Sequence, residues 1–326
     1  MSTPTVFIDG EAGTTGLQIR QRLERRRDLK LLTIDPDRRK EAGARAELLN
    51  HADAVILCLP DDAAREAVDM ITNPKVKVID ASTAHRVAPG WAYGFPELAD
   101  GHRALIRTSK RIANPGCYPT GFIALVAPLV RAGIVPPDYP VTVNAVSGFT
   151  GGGKGLIEEF TAHQSEATSD AIRIYGLQLA HKHVPEMTRY AGLAHAPVFA
   201  PSVGRYAQGM IVEVPLQLWA LPGSPTTAQL REALAAAYEG ERFVSVANEA
   251  ETVALQKSRA GAAGYVADLD PEALNGTNDL RLFVFGNDAA GQVRLVALLD
   301  NLGKGASGAA VQNLNLALGL DEAAGL

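Results

Sequence analysis

Cysteine is scarce: the 326 residues contain two, Cys58 and Cys117. Two thiols in so long a chain do not make a disulfide framework. No second Cys or His motif completes a metal site, so no metal is expected. A basic stripe is also missing. The formal net charge is −5, which argues against a nucleic-acid surface. The one basic cluster, at 20–28, contains Glu24 and reads as the wet face of a helix. Long apolar runs are absent too. The stretch 122–130 is too short to cross a bilayer and contains Pro128. No charged leader and no internal repeat is visible. These absences lead us to expect a soluble, cytoplasmic protein acting on a small molecule, without membrane or nucleic-acid partners.

What is present is an ordinary globular mix, 47 % hydrophobic and 21 % charged. The length suits two domains better than one core. Up to about residue 82 apolar strands alternate with helices. Strands are expected at 5–9, 29–35, 52–60 and 75–82, with helices at 14–26, 37–49 and 61–71. That rhythm predicts a parallel sheet covered on both faces. Beyond about residue 118 an apolar helix (119–132) precedes longer strands at 139–148, 210–218, 242–247, 280–287 and 293–301. They read as a second, largely antiparallel sheet. The segment 307–320 has helical spacing and is expected to pack back onto the first domain.

GEAGTTG (10–16) lies between the first strand and the first helix. Gly10, Gly13 and Gly16 let the backbone approach a pyrophosphate, and the helix start, with Thr14 and Thr15, offers unpaired N–H groups to that anion. The end of the second strand gives a mixed signal. Asp35 suits a ribose 2′-OH and NAD, whereas Arg38 and Arg39 suit a 2′-phosphate and NADP. We favour NADP(H).

ANPGCYPTG (113–121) sets a Pro-Gly turn before Cys117 and places Pro119 where a helix begins. At a helix start the dipole favours a thiolate, and nearby N–H groups can receive an oxyanion. Cys58, inside an apolar strand, reads as an inert core residue. A thiolate beside a nicotinamide suggests acyl transfer to sulfur, hydride reduction of the thioester and release of an aldehyde. An acid/base is then needed. HKHVPE (181–186) offers His181 and His183. Pro185 biases Val184 toward extended backbone, which, if continued through 181–183, points both imidazoles to one face. His51, His85, His102, His163 and His195 are expected on the surface. SGFTGGGK (147–154) lacks the spacing of an ATP-binding P-loop.

With ANPGCYPTG and HKHVPE, the chain resembles the N-acetyl-γ-glutamyl-phosphate reductase family in its short form, within the aspartate-semialdehyde dehydrogenase-like superfamily. DASTAHR (80–86), SGFTGGGK and DNLGKGASGAAVQNLN (300–315) fall in the family's order. The resemblance implies an α/β fold: a Rossmann dinucleotide-binding domain (1–116 plus 302–326) and an α+β catalytic and dimerisation domain (117–301) with a largely antiparallel sheet. It implies NADPH-dependent reduction of N-acetylglutamyl 5-phosphate to the semialdehyde in arginine biosynthesis, with phosphate released. Cys117 is then the nucleophile and the HKHVPE pair the acid/base, with His183 preferred over His181. Ser147, Gly148 and the glycines Gly151 to Gly153 form a loop over substrate and nicotinamide. Asn301, Gly303 and Gly305 touch the cofactor. Ser82, Arg86, Asn114, Gly151 and Gly152 hold the substrate. Arg111, Arg173 and Arg205 are further candidates for its anionic groups. A homodimer or homotetramer follows by analogy.

Alternatives stay open at this point. Aspartate-semialdehyde dehydrogenase and a carrier-bound aminoadipyl-phosphate reductase share the chemistry. A non-enzymatic NADP-binding redox sensor and a cysteine hydrolase belong to other classes.

Overall fold

The computed structural model describes residues 3–39, 41–162, 168–256 and 269–326. The chain forms two compact units, Met1–Gly116 with Gly305–Leu326, and Cys117–Lys304.

In the first unit the elements run β1 (Thr5–Asp9), α1 (Thr14–Leu23), β2 (Lys30–Leu32), α2 (Ala42–His51), β3 (Ala54–Leu57), α3 (Asp61–Asp69), β4 (Lys77–Asp80), β5 (Ala92–Tyr93), α4 (His102–Thr108) and β6 (Arg111–Ala113). The sheet order is β2-β1-β3-β4-β6-β5, and every pair is parallel. Both faces are covered. Val6 and Ile8 of β1 pack with Ile19 and Leu23 of α1, while Phe7 packs on the other face with Leu49 of α2 and Ala64 of α3. This two-sided burial is why β3 reads as an unbroken apolar run. Each fully buried Leu or Phe contributes roughly 1.5–3 kcal/mol.

The second unit opens with α5 (Cys117–Arg131) and continues through β7 (Thr142–Gly148), α6 (Gly153–Thr161), β8 (Ile172–Ile174), α7 (Val184–Ala191), β9 (Val198–Gly204), β10 (Met210–Gln217), α8 (Thr227–Ala237), β11 (Val244–Val246), α9 (Glu249–Gln256), β12 (Leu280–Asn287) and β13 (Gln292–Leu299). The sheet order is β11-β12-β13-β10-β7-β9-β8. Four neighbouring pairs are antiparallel; β11–β12 and β7–β9 are parallel. Helix α5 is buried from Tyr118 to Leu129. It lies close to the sheet at Gly121, where a Cβ would stand 3.0 Å from Val212 Cγ2. Tyr238, the C-cap of α8, fixes the same helix by donating to the Ala124 carbonyl, 2.9 Å.

The chain then returns to the first unit as α10 (Gly308–Leu318). Ala310, Val311 and Leu314 of α10 complete the apolar cluster around Ile8 and Ile19.

Several expectations shift. The second strand shrinks to Lys30–Leu32, and α2 starts at Ala42, because Asp35 organises a turn: its carboxylate accepts from the Asp37 N–H (3.0 Å) and its carbonyl from the Arg38 N–H (2.9 Å). Helix α1 stops at Leu23, and Arg26 is not on a wet face. Its side chain is 7 % exposed, and its guanidinium holds Asn315 (2.6 Å) and the Ala324 carbonyl (3.0 Å) near the chain's end. His85 and His102 are half-buried rather than surface residues. His85 stacks on Trp91 at 4.1 Å and pairs with Asp80 at 2.6 Å; His102 Nε2 meets the Tyr93 carbonyl at 2.6 Å, and loss of solvation lowers its pKa. His163 lies outside the described residues.

Candidate active site

In the first unit, the turn from β1 to α1 is built so that only glycine fits. Gly10 has φ +87°, and a Cβ there would lie 2.3 Å from the Cys58 carbonyl oxygen. A Cβ on Gly16 would lie 2.6 Å from the Gly10 carbonyl oxygen. Gly13 caps α1 without a side chain, donating its N–H to the Gly10 carbonyl at 3.1 Å. The helix start, with Thr14 and Thr15 half-buried, thus carries no side-chain cap, which leaves its N–H groups for an anion.

Beside this turn runs a cleft of about 670 Å³, lined by Gly10, Glu11, Ala12, Ile34, Pro36 and Arg39 among others. Arg45 and Asp9 form a largely buried ion pair along it, 2.8 Å. The two arginines after β2 differ. Arg38 pairs with Glu41 at 3.0 Å on the surface. Arg39 lines the cleft. Asp35, which competed as an NAD signal, spends one carboxylate oxygen on the Asp37 amide. The residues present therefore fit a phosphorylated dinucleotide: a cradle that any Cβ would fill, and an arginine at the cleft.

Ser82, Arg86 and Asn114 are buried side chains of the same unit. Ser82 donates to Asp80, 2.8 Å. Arg86 Nε donates to the Asn114 carbonyl, 3.0 Å. Asn114 Nδ2 donates to the Ala306 carbonyl (3.0 Å), and its Oδ1 accepts from Asn313 (3.0 Å). These bonds hold the backbone just before Pro115 and Gly116. Arg111 is engaged elsewhere in this unit, by the Val76 and Lys110 carbonyls.

In the second unit Cys117 is the first residue of α5 and half-buried. Around the helix start stand the rings of Tyr118, Tyr175, His181, His183 and Phe199. Tyr118 lies 5.9 Å from His183 and 6.3 Å from His181 between centroids; the two imidazoles are 4.7 Å apart; Tyr175 is 5.7 Å from His181. The HKHVPE pair is brought together, though not by extended backbone. His183 is the N-cap of α7 with helical φ −84° and ψ −15°, and Pro185 occupies the first helical turn. Proline there lacks only an N–H that would be unpaired anyway, so the bias it imposes on Val184 yields to the helix. The tightened turn directs the His183 N–H to His181 Nδ1, 3.2 Å. His183 is buried and His181 half-buried.

Tyr118 and Tyr175 were not foreseen. Tyr118 stood inside the quoted motif but carried no separate signal, and Tyr175 is 57 residues away. Their hydroxyls meet at 3.1 Å. Burial drives both phenols up, Tyr175 to about 12 and Tyr118 well above 10.0, and negative charge on Cys117 acts in the same direction on both.

The glycine loop and the segment after β13 also come together. Ser147 is buried and donates to the Gly148 carbonyl, 3.1 Å. Asn301 accepts from the Gly209 N–H (2.7 Å) and donates to Thr150 (3.1 Å). A Cβ on Gly151 would stand 3.1 Å from Ser147 Oγ and 3.5 Å from Asn301 Nδ2; one on Gly152 would hit Leu156 at 2.4 Å. Gly303 abuts the Thr277 carbonyl and opens the π-helical turn Gly303–Ser307, which contains Gly305. Such turns collect at functional sites. Arg173 and Arg205 are engaged elsewhere, Arg173 with Glu159 and Asp170, Arg205 with the Asp170 carbonyl. Among the described residues no group of three or more His, Cys, Asp or Glu could hold a metal ion, and no helix is long and apolar enough to cross a membrane.

Two family models match. "Semialdehyde dehydrogenase, NAD binding domain" covers residues 35–106 and "Semialdehyde dehydrogenase, dimerisation domain" residues 117–301. A protein of Nostoc named N-acetyl-gamma-glutamyl-phosphate reductase 2 is 53 % identical over 330 residues, covering all of both chains. A Burkholderia cenocepacia N-acetyl-gamma-glutamyl-phosphate reductase is 55 % identical over 324 residues, 99 % of this chain and 100 % of that one. In fold the chain is similar to aspartate semialdehyde dehydrogenase II from Vibrio cholerae, with TM-score 0.70, 15 % identity and coverage of 98 % and 99 %. It is also similar to the Candida albicans aspartate semialdehyde dehydrogenase solved with NADP, with TM-score 0.60, 12 % identity and coverage of 97 % and 98 %.

Proposed function

The chain belongs to the N-acetyl-γ-glutamyl-phosphate reductase family, and from that premise we propose how its own residues carry the reaction. The enzyme is an NADP-dependent oxidoreductase that converts N-acetyl-L-glutamyl 5-phosphate to N-acetyl-L-glutamate 5-semialdehyde in arginine biosynthesis. One observation carries the assignment of roles: a half-buried thiol opens a buried helix beside two imidazoles and two phenols.

Cys117 is the nucleophile. Its sulfur attacks C5 of the acyl phosphate, phosphate leaves, and a thioester forms. NADPH, when bound, supplies the hydride that the thioester carbon accepts. The thiohemiacetal then collapses to aldehyde and thiolate as its hydroxyl proton is taken up. His183 is the acid/base in these proton transfers. His181 accepts the His183 N–H at Nδ1, so the neutral ring carries its proton on Nε2 and serves as a donor to substrate oxygen. The first unit is the NADP-binding domain. Gly10, Gly13, Thr14, Thr15 and Gly16 cradle the pyrophosphate, and Arg39, more than Arg38, meets the 2′-phosphate. Arg86 and Asn114 hold the turn that presents Cys117. The second unit is the catalytic and oligomerisation domain; the dimerisation-domain match supports a homodimer or homotetramer. We place the enzyme in the cytoplasm.

The test is spectrophotometric. NADPH forms from N-acetylglutamate 5-semialdehyde, NADP+ and phosphate, whereas aspartate semialdehyde and NAD+ are poor substitutes. Equal rates with aspartate semialdehyde would return the substrate assignment to the sister enzymes.

A further inference from the structure

We propose that Tyr175 is a specificity residue whose hydroxyl oxygen, fixed as an obligate hydrogen-bond acceptor, receives the amide N–H of the N-acylated substrate. The proposal rests on the reaction assigned above and names the residue that reads the amide of its substrate.

The polarity follows from counting protons. A phenol has one proton to donate and lone pairs to accept with. The Ser202 carbonyl, 3.2 Å from the Tyr118 hydroxyl, can only accept. So can Ser147, which also bonds Tyr118 and gives its own proton to the Gly148 carbonyl; Tyr118 therefore gives its proton to one of these two. Tyr118 can then only accept from Tyr175, 3.1 Å away. Both protons are committed, and among the described residues the relay ends on the lone pairs of the Tyr175 oxygen. Ionisation does not undo the order. Burial, first of all causes, keeps Tyr175 protonated up to about 12 and raises Tyr118 well above its ordinary value.

Place and chemistry agree. Tyr175 follows β8, its ring stands against His181, and charge on Cys117 reaches it. Among the described residues, the side chains it meets by ring or hydrogen bond are Tyr118 and His181, neither a carboxylate. A neutral phenolic oxygen suits an amide N–H. It is a poor counter-ion for the ammonium of an unacylated amino acid. Tyr118 is the positioning residue, since it acts through Tyr175.

The experiment compares N-acetylglutamate 5-semialdehyde with its ester isostere, in which oxygen replaces the amide N–H, using the full-length enzyme with NADP+ and phosphate. The wild type prefers the amide in kcat/KM by on the order of tenfold to a hundredfold. Tyr175→Phe brings that ratio near one, with the loss on the amide appearing mainly in KM. Tyr118→Phe frees the Tyr175 proton and lowers the ratio as well. A merely structural role depresses both substrates alike, so an unchanged ratio in Tyr175→Phe overturns the proposal. Cys117→Ser in the same assay separates the two levels: turnover without the sulfur sinks the reaction assignment, whatever the ratio shows.

Discussion

Two strand-to-helix turns do opposite things with their residues. After β1, the turn at Gly10, Gly13 and Thr14 has no reacting side chain; its use lies in exposed backbone N–H groups. After β6, the turn at Asn114, Pro115 and Gly116 ends on a sulfur at the first residue of α5. Removing a side chain is therefore harmless in principle at the first and fatal at the second. Adding one reverses the order. In both, the helix start supplies a positive dipole end. What differs is whether it stabilises a ligand's charge or the protein's own.

The largest expected effect breaks the second turn. Cys117→Ser, one atom changed, should lower phosphate-dependent semialdehyde oxidation by about a thousandfold or more, because an alkoxide is far harder to form near neutral pH. NADPH binding, followed by fluorescence titration, should persist. Retention of more than about a tenth of the wild-type rate, only ~1.4 kcal/mol in barrier, would refute the nucleophile role. His183→Asn comes next, with kcat down roughly a hundredfold. A wild-type rate there hands proton transfer to His181.

The first turn breaks by addition. In Gly16→Ala the new methyl would sit 2.6 Å from the Gly10 carbonyl oxygen, so the loop must open. We expect about 1–3 kcal/mol of lost stability and about a tenfold weaker NADPH Kd, with kcat at saturating NADPH reduced far less than in Cys117→Ser. Unchanged NADPH affinity would show that the loop holds no phosphate. Arg39→Ala sharpens the cofactor reading at smaller scale. It should lower the NADPH-over-NADH preference about tenfold, while Arg38→Ala, whose guanidinium already serves Glu41, moves it less.

Both turns were legible in the sequence because each is local: glycines at fixed offsets, or a Pro-Gly before a thiol. The buried strands were legible for the same reason; β12 falls at 280–287, where the apolar run lies. What escaped is non-local or short. Strand β9 carries Pro201 in its middle, which disguises it, and β8 has only three residues. Helix α8 buries just Thr227, Leu230 and Leu234, too thin a stripe to announce itself. At HKHVPE two rules on proline competed, and the helix-start preference prevailed. The Tyr118–Tyr175 pair depends on β8 lying beside β9, which no spacing encodes.

The smallest effect contrasts the two thiols themselves. Cys58 also follows a parallel strand, β3, and is half-buried like Cys117, yet it packs against the first unit's core, where loss of solvation, then the charges of Asp80 and Asp9, push its thiol up to about 12. Iodoacetamide at about pH 8 should therefore label Cys117 and spare Cys58. The same shift bears on stability. In the unfolded chain Cys58 ionises near its ordinary 9.0, while the folded chain keeps the proton to about 12. Between those values the unfolded state holds fewer protons, so stability falls as pH rises; the contribution is whole below 9.0 and lost across the window. Cys58→Ala should flatten part of that decline in urea midpoints compared at about pH 8 and about pH 10.5. Tyr175, held protonated to about 12, keeps a residual slope in the variant. Parallel declines in the two proteins would mean that Cys58 ionises as freely folded as unfolded, and the contrast between an inert and a reactive thiol would have to rest on Cys117 alone.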